Sequence, residues 1–240
     1  MSRANHSFPL LGLWLALCLL TPTSPSSADP VGSPASSLRK GQWMFGLGTG
    51  AVMGRGAKGA GDPEEGLYRI EHFRGYGLTD WLSLYAKVGW AYLRVNDGTS
   101  ADGANDFGSN LLLGAQLKSR LWQNAKYNWE WNGSVQYLWV GAPHRRNKHQ
   151  GEWQEWQVAT TTARSFGRLK PYVGLKCSLV NFDFKLRKGD ETIQRGTYKQ
   201  DAWLGPVLGT DYLVGEDVIV NVESAYIDGA EVTVAVAHAF

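Results

Sequence analysis

The stretch Tyr127–Val140, with the sequence YNWEWNGSVQYLWV, alternates between two kinds of side chain. Its odd-numbered positions are aromatic, apolar or small, and its even-numbered positions as far as Gln136 are polar. A period of two predicts a β-strand, because successive side chains of a strand point to opposite faces. At roughly 3.3 Å per residue and a tilt of about 40°, the chain from Tyr127 to Trp139 rises by roughly 30 Å. This rise matches an apolar membrane band with an aromatic girdle at each edge.

The beginning of the chain has the features of a secretory signal peptide, which we assign to residues 1–28. Arg3 precedes the apolar run FPLLGLWLALCLL, and the small residues Ser26 and Ala28 suit cleavage before Asp29. With about 13 residues, this run is too short to cross a bilayer as a helix. No longer apolar run follows it in the sequence.

The rest of the chain divides into alternating segments and polar connections. A leader rich in Pro and Ser, residues 29–40, is predicted to be flexible and periplasmic. The predicted strands are 41–53, 67–78, 81–93, 109–121, 127–140, 153–165, 169–182, 200–213, 217–226 and 231–240. The predicted long loops are 54–66, 94–108, 141–152 and 183–199. Apart from the brief final link near Ile227, Asp228 and Gly229, these loops alternate with tight turns, as in barrels of the bacterial outer membrane.

We therefore predict a single domain over residues 41–240, all-β, folded as an antiparallel up-and-down transmembrane β-barrel of about ten strands. Eight strands stay possible if weaker segments merge. The weakest is 67–78, where His72 and Arg74 share a face with apolar residues. We expect either a bulge in this segment or a position partly above the membrane.

The last segment, EVTVAVAHAF, places an apolar residue at nearly every second position and ends in Phe240. It resembles the C-terminal signature of bacterial outer-membrane barrels, which the barrel-assembly machinery reads. His238 departs from the signature, which more often has Tyr there. With the signal peptide and the alternation over residues 41–240, the chain is similar to the superfamily of small outer-membrane barrel proteins, including opacity-like and adhesin-like members. The resemblance implies an outer-membrane location and the assembly machinery as a partner through Phe240.

The non-apolar face of the strands predicts a charged barrel interior. The predicted polar network of the lumen consists of Lys87, Lys118, Arg120, Glu130, Glu155, Lys176, Asp211 and Glu223. The same face also carries Arg69, Lys170, Glu71 and Asp201. Buried charges are costly unless they are paired, so the near balance of signs predicts a lumen plugged by paired charges. Inward glycines leave a narrow channel open as an alternative, although they also give bulky residues such as Trp203 and Tyr172 room to pack across the lumen.

The loop 141–152 carries a basic cluster formed by His144, Arg145, Arg146 and Lys148. Arg and Lys suit phosphate recognition, so this cluster is a candidate anion-binding site for lipopolysaccharide. A solvated loop without a ligand is the other interpretation.

An enzyme of the barrel rim is a further hypothesis for this chain. A His–carboxylate pair drawn from His144, His149, Glu152 and Asp201 could activate a water molecule. No His-Ser or Asp-His pattern resembles the barrel proteases or lipid A deacylases, so no catalytic residue is assigned.

The remaining classes of function receive little support from the sequence. A net charge of +2 gives no reason to invoke nucleic acid. The four histidines that follow residue 28 are scattered, so neither a metal site nor a cofactor is expected. The leading expectation is a non-enzymatic outer-membrane protein with a structural or surface-interaction role. A narrow passive channel and a rim hydrolase acting on lipid A or peptide are the alternatives, and the oligomeric state is open.

Overall fold

The computed structural model describes residues 38–58, 64–96, 105–141, 150–188, 191–200, 203–227 and 229–240. The predicted signal peptide and most of the predicted leader lie outside these ranges. The strands are β1 (Trp43–Lys58), β2 (Glu64–Gly77), β3 (Leu82–Asn96), β4 (Asn105–Asn124), β5 (Trp129–Gly141), β6 (Gln150–Arg164), β7 (Leu169–Lys188), β8 (Glu191–Gln200), β9 (Leu204–Val214), β10 (Val218–Tyr226) and β11 (Ala230–Ala239). Across the described ranges, no helix has the length and apolarity needed to cross a membrane.

The sheet closes on itself because β11 pairs with β1 in addition to β10. All strand pairs are antiparallel. β8 pairs with the distal part of β7, where Asn181 faces Lys199, and β9 pairs with the proximal part, where Cys177 faces Leu204. β8 and β9 therefore lie one after the other along the same edge of β7, and together they take the place of one strand of the barrel. Eleven strands thus form a barrel with ten strand positions. The architecture is a closed ten-position barrel, as the alternation predicts, and the eight-stranded alternative is wrong.

The strands run further than the sequence pattern indicated. The predicted loop 183–199 is wrong, because β7 continues to Lys188 and β8 occupies most of the remainder. The predicted loops 54–66, 94–108 and 141–152 are shorter than expected for the same reason. Above the membrane, the outward face of a strand contacts water and does not need apolar residues. The strand pairing can therefore continue there without the apolar alternation by which strands are recognised in a sequence.

The weakest predicted segment, now β2, has no bulge of its own. Its register with β3 is continuous from Glu64 to Gly77, and the neighbouring irregularity lies in β1. His72 and Arg74 face outward near the end that carries the short turns. There, Arg74 Nε donates a hydrogen bond to His72 Nε2 (3.2 Å), and its guanidinium lies over the Phe45 ring. An aromatic and a hydrogen-bonding neighbour thus hold these polar residues at the barrel rim.

Several inward glycines sit directly opposite aromatic residues. Gly46 pairs with Phe73, and a Cβ on Gly46 would lie 2.0 Å from that ring. Gly209 pairs with Tyr172, and a Cβ there would lie 2.4 Å from the phenol oxygen. Glycine thus allows a ring to lie across the neighbouring strand and fill the interior, as expected for Tyr172. The same expectation is wrong for Trp203, which is 58% exposed.

The outer wall carries an apolar belt between two aromatic girdles. The girdle next to the short turns includes Trp43, Trp81, Trp122, Trp129, Trp131, Phe166, Tyr212 and Phe240, and the opposite girdle includes Trp90, Tyr92, Trp156, Trp203 and Tyr226. Exposed aliphatic residues such as Leu47, Leu113 and Val173 fill the space between them. An apolar belt with aromatic edges is the surface that an outer-membrane barrel presents to lipid. The protein is an outer-membrane β-barrel. Because such barrels keep their short turns in the periplasm, we call the end with most of the short turns and the C-terminus the periplasmic end and the other the extracellular end.

The described interior contains three apolar clusters, and two of them lie at opposite ends of the barrel with a polar layer between them. The upper apolar cluster, at the extracellular end, consists of Val52, Leu67, Ala91, Leu93, Phe107, Leu112, Leu138, Val140, Trp153, Val180, Phe182, Phe184 and Tyr198. The lower apolar cluster, at the periplasmic end, consists of Leu38, Met44, Tyr85 and Ala237. Leu38 reaches into the periplasmic mouth, where its backbone N–H donates to Ser83 Oγ (2.7 Å). The polar layer is therefore enclosed from both ends.

Candidate functional site

The central part of the polar layer is a chain of contacts that crosses the barrel from β2 to β6. Lys87 Nζ lies 3.7 Å from Glu71 Oε1 and donates to Gln136 Oε1 at 2.6 Å. Gln136 donates to Gln157 (3.1 Å), which in turn donates to Glu155 (2.8 Å). All five side chains are buried. Because they come from β2, β3, β5 and β6, the chain fastens one half of the barrel wall through its interior.

A second element of the layer is the ion pair between Lys176 of β7 and Glu231 of β11. Their Nζ and Oε2 atoms are 2.5 Å apart, and both side chains are fully buried. Two charges without access to water stabilise each other only if their geometry is close, because both have lost their hydration. The sequence placed Glu231 on the inward face but left it out of the predicted network. Its partner is 55 positions away in the sequence. Alternation alone does not indicate which inward residues lie at the same level along the barrel axis.

A third element joins β7, β9 and β10. The Tyr172 hydroxyl donates to Glu223 Oε2 (2.7 Å), and Asn221 Nδ2 contacts both Tyr172 (3.0 Å) and Asp211 (2.5 Å). Lys118 of β4 faces this group across the lumen and interacts electrostatically with Asp211 and Glu223. The carboxylates of one wall thus oppose a cation of the other.

The predicted lumen residues occupy two different environments. Lys87, Lys118, Glu155, Lys176, Asp211 and Glu223 are buried in the polar layer. Glu130 is also inward, and its carboxylate lies 2.8 Å from Lys170 Nζ nearer the periplasmic end. Arg120 instead reaches the periplasmic rim, where Nη2 donates to the Asp80 carbonyl (2.5 Å). A register shift in β4 just after Arg120 accompanies this change of direction. Asp201 lies outside the described residues.

Two buried amides distinguish one region of the layer. Gln116 and Asn132 are each 2% exposed, and neither side chain has a hydrogen-bond partner within the described part of the chain. Buried amides normally have partners, either protein groups or water. Gln116 and Asn132 are therefore buried polar groups of the layer whose hydrogen bonds are not made within the described residues.

The residues predicted for an extracellular site are only partly described. His144, Arg145, Arg146, Lys148 and His149 lie outside the described residues. Glu152 faces outward at the extracellular end of β6. Its Oε1 accepts hydrogen bonds from the Trp139 indole and the Gln154 amide, both at 2.9 Å. The one described carboxylate of the suggested hydrolytic group is thus held by two neighbours in the barrel wall.

The C-terminal residue lies where the barrel closes. Phe240 faces outward, and its backbone exchanges two hydrogen bonds with Trp43 (2.9 and 3.0 Å). Its ring stacks on Phe45 with centroids 5.2 Å apart. The predicted assembly residue is therefore also part of the contact between the first and last strands.

Within the described residues, no group of three or more His, Cys, Asp and Glu side chains is arranged to hold a metal ion.

Comparisons with known proteins relate the chain to solved barrels at low identity. No family model and no curated protein matches it. The outer membrane protease OmpT from Escherichia coli is 10% identical, with a TM-score of 0.44 over 83% of this chain and 96% of that chain. The outer membrane protein OprG from Pseudomonas aeruginosa is 7% identical, with a TM-score of 0.42 over 85% and 98%. Ail, the attachment invasion locus protein of Yersinia pestis, is 10% identical, with a TM-score of 0.41 over 83% and 97%.

Proposed function

We propose that this protein is a non-enzymatic outer-membrane barrel with a closed lumen, which acts through its extracellular wall and loops. The observation that supports this proposal is the enclosed polar layer. Its central chain runs from Glu71 through Lys87 to Glu155, and the Lys176–Glu231 pair spans the interior beside it. A solute would have to separate these groups and pass an apolar cluster at either end.

The energetics favour a closed interior over a pore. A barrel of this size has an interior only slightly wider than its own side chains require. Leaving one member of a buried ion pair without its partner costs about 3–5 kcal/mol. Opening a path through the layer would break several such contacts, so we expect the closed state to dominate.

Conductance in planar bilayers tests this proposal. The mature protein is refolded, its folding is verified by heat-modifiable migration on a gel, and it is added to the bilayer beside an open porin as a positive control. We expect no discrete openings from the folded protein. Discrete, ion-selective openings of the same preparation would contradict a closed lumen.

A narrow passive channel for small solutes is the second candidate, and the amides of Gln116 and Asn132 favour it. Buried amides without protein partners are suited to hold water, and a file of water molecules is what a narrow channel needs. If the wild type conducts, the double variant Gln116→Leu/Asn132→Leu should conduct less, because it removes both polar groups from that path. An unchanged conductance would place the path elsewhere.

We also propose partners for the two ends of the barrel. The barrel-assembly machinery recognises the strand that ends in Phe240, and lipopolysaccharide phosphates bind the basic loop residues His144, Arg145, Arg146 and Lys148. The support for both is the sequence pattern. Replacing Arg145 and Arg146 by Gln should weaken binding of lipopolysaccharide to the purified protein, and unchanged binding would leave the loop without this role.

A further inference from the structure

A cavity of about 330 Å³ opens on the outward face of the barrel wall at the extracellular end, across β5 to β8. Its volume falls at the lower end of the range for small-molecule sites. The side chains that give it chemical character are Trp139, Glu152, Asp183, Lys185, Arg195 and Thr197. The Trp139 indole lies over Gly141, where a Cβ would come within 2.4 Å of the ring. The cavity thus combines an aromatic surface with four charged groups.

The two carboxylates of the cavity are held by neighbouring wall residues. Glu152 accepts the Trp139 indole N–H (2.9 Å), and Asp183 accepts the Thr197 hydroxyl (2.5 Å). These bonds hold both acids against the wall, and each gives one carboxylate oxygen a hydrogen-bond donor. The acids therefore shape the cavity, and within the described residues neither of them forms an ion pair with Lys185 or Arg195.

The two cations of the cavity are arranged differently. Lys185 of β7 and Arg195 of β8 are direct cross-strand partners. Like charges at directly opposed positions destabilise a sheet. Within the described part of the chain, neither side chain makes an ion pair or a hydrogen bond. An anion between them would remove the repulsion and supply the missing partners.

The cavity lies at the level of the outer-leaflet head groups. Trp156 and Leu179 are cross-strand partners and are the last large exposed apolar residues on their strands below the cavity. Asp183 is four residues beyond Leu179, and Lys185 is six. At roughly 3.3 Å per residue and a tilt of about 40°, this places them about 10–15 Å above the upper edge of the belt.

We propose that this cavity binds a phosphorylated sugar, with Lys185 and Arg195 on the phosphate and the Trp139 indole against the sugar. Arg and Lys both suit phosphate, and an aromatic ring suits the apolar side of a sugar. The position above the belt favours the sugar-phosphate head group of an outer-leaflet lipid over a free sugar phosphate. The site is separate from the basic loop proposed above for lipopolysaccharide and does not depend on a closed lumen. Binding lost in Lys185→Gln/Arg195→Gln but kept when Arg145 and Arg146 are replaced by Gln is therefore assigned to the cavity, and the conductance experiment can fail independently.

The test compares the double variant Lys185→Gln/Arg195→Gln with the control Arg94→Gln/Lys199→Gln, both in the full mature chain. The control removes two exposed outward cations from the same end of the barrel, but neither of them lines the cavity. Folding is checked by heat-modifiable migration. Binding of glucosamine 1-phosphate is measured by calorimetry in detergent. Binding of lipopolysaccharide is measured as lipid phosphate retained per barrel after gel filtration.

We expect the wild type and the control to bind equally, and the cavity variant to bind roughly tenfold or more weakly per cation removed. Loss of lipopolysaccharide binding identifies the lipid head group as the source, and loss of glucosamine 1-phosphate binding alone identifies a free sugar phosphate. Equal weakening in both variants would overturn the proposal, because it would show a general effect of rim charge. Absence of binding by the folded wild type would overturn it as well. If the double variant does not fold, the single variants Lys185→Gln and Arg195→Gln are compared with Arg94→Gln.

Discussion

At the scale of single residues, one contact that constrains the interior joins Lys176 and Glu231. Both side chains are fully buried, and their strands are not neighbours in the sheet. The pair therefore ties the wall at β7 to the closing strand β11 through the lumen. Water cannot reach either partner to replace the other. Removal of one charge should therefore lower the free energy of unfolding far more than removal of a charge at the surface.

Glu231→Gln should destabilise the folded barrel by about 3–5 kcal/mol, because it leaves the Lys176 ammonium buried without a counter-charge. The measurement is urea unfolding in phospholipid vesicles, followed by tryptophan fluorescence. Glu216→Gln is the matched control, since Glu216 is exposed in the turn between β9 and β10, and it should change the free energy of unfolding by less than about 0.5 kcal/mol. Equal effects of the two substitutions would show that the buried pair is not a major stabilising contact.

The same pair marks how far the sequence can be used to predict single contacts. Alternation places Glu231 and Lys176 on the inward face, because that needs only the parity of their positions. Whether they meet depends on the tilt of the barrel and on register, which no local pattern of residues records. Arg120 shows the same limit, since a register shift immediately after it turns its side chain to the rim.

At the scale of elements, closure depends on β1 and β11. Their ladder runs from Met44 opposite Ala239 to Met53 opposite Ala230. Phe240 extends it by one residue through its hydrogen bonds with Trp43 and its contact with the Phe45 ring. A change at the terminus therefore affects both the pairing of β1 with β11 and the sequence that we propose the assembly machinery reads.

Phe240→Ala should reduce the amount of folded protein in cells several-fold and weaken refolding into vesicles far less, because the backbone hydrogen bonds with Trp43 remain and we propose that the terminal signature is read only during assembly in cells. The readout is the heat-modifiable fraction in isolated outer membranes. Phe166→Ala is the control, because Phe166 is a periplasmic girdle residue of similar exposure, 54% against 56% for Phe240. An equal loss in cells for both variants would indicate a general need for girdle aromatics.

Prediction of the elements succeeded within the membrane and failed above it. In β5, one face contacts lipid and the other the interior, so the requirement for alternation is strict. In β8 the sequence ETIQRGTYKQ has polar residues on both faces, because the outward side of this strand faces water rather than lipid. This segment forms a strand because it pairs with β7, and such a pairing cannot be recognised from the pattern of residues in the segment itself.

At the scale of the whole molecule, the order of layers relates the fold to the proposed function. The upper apolar cluster closes the extracellular side, the polar layer joins opposite walls, and the lower apolar cluster with Leu38 closes the periplasmic side. The charged side chains of the outward cavity lie on the opposite face of the same strands from the upper cluster, since Phe184 and Lys185 are consecutive, and Phe184 borders both. The interior contacts thus join the strands from whose outer face the side chains of the cavity project.

The orientation of the barrel gives a prediction for the molecule as a whole. With the short turns in the periplasm, a cysteine at Thr192 of β8 should react with a large polymer-linked maleimide on intact cells. A cysteine at Arg168, in the turn between β6 and β7, should react only after the outer membrane is permeabilised. Both positions are exposed, so both should react in detergent, which is the control. Both variants are made with Cys177→Ala, because Cys177 is the only cysteine after the predicted signal peptide. Labelling of Arg168→Cys but not Thr192→Cys on intact cells would show the reverse orientation and would place the sugar-phosphate cavity on the periplasmic side.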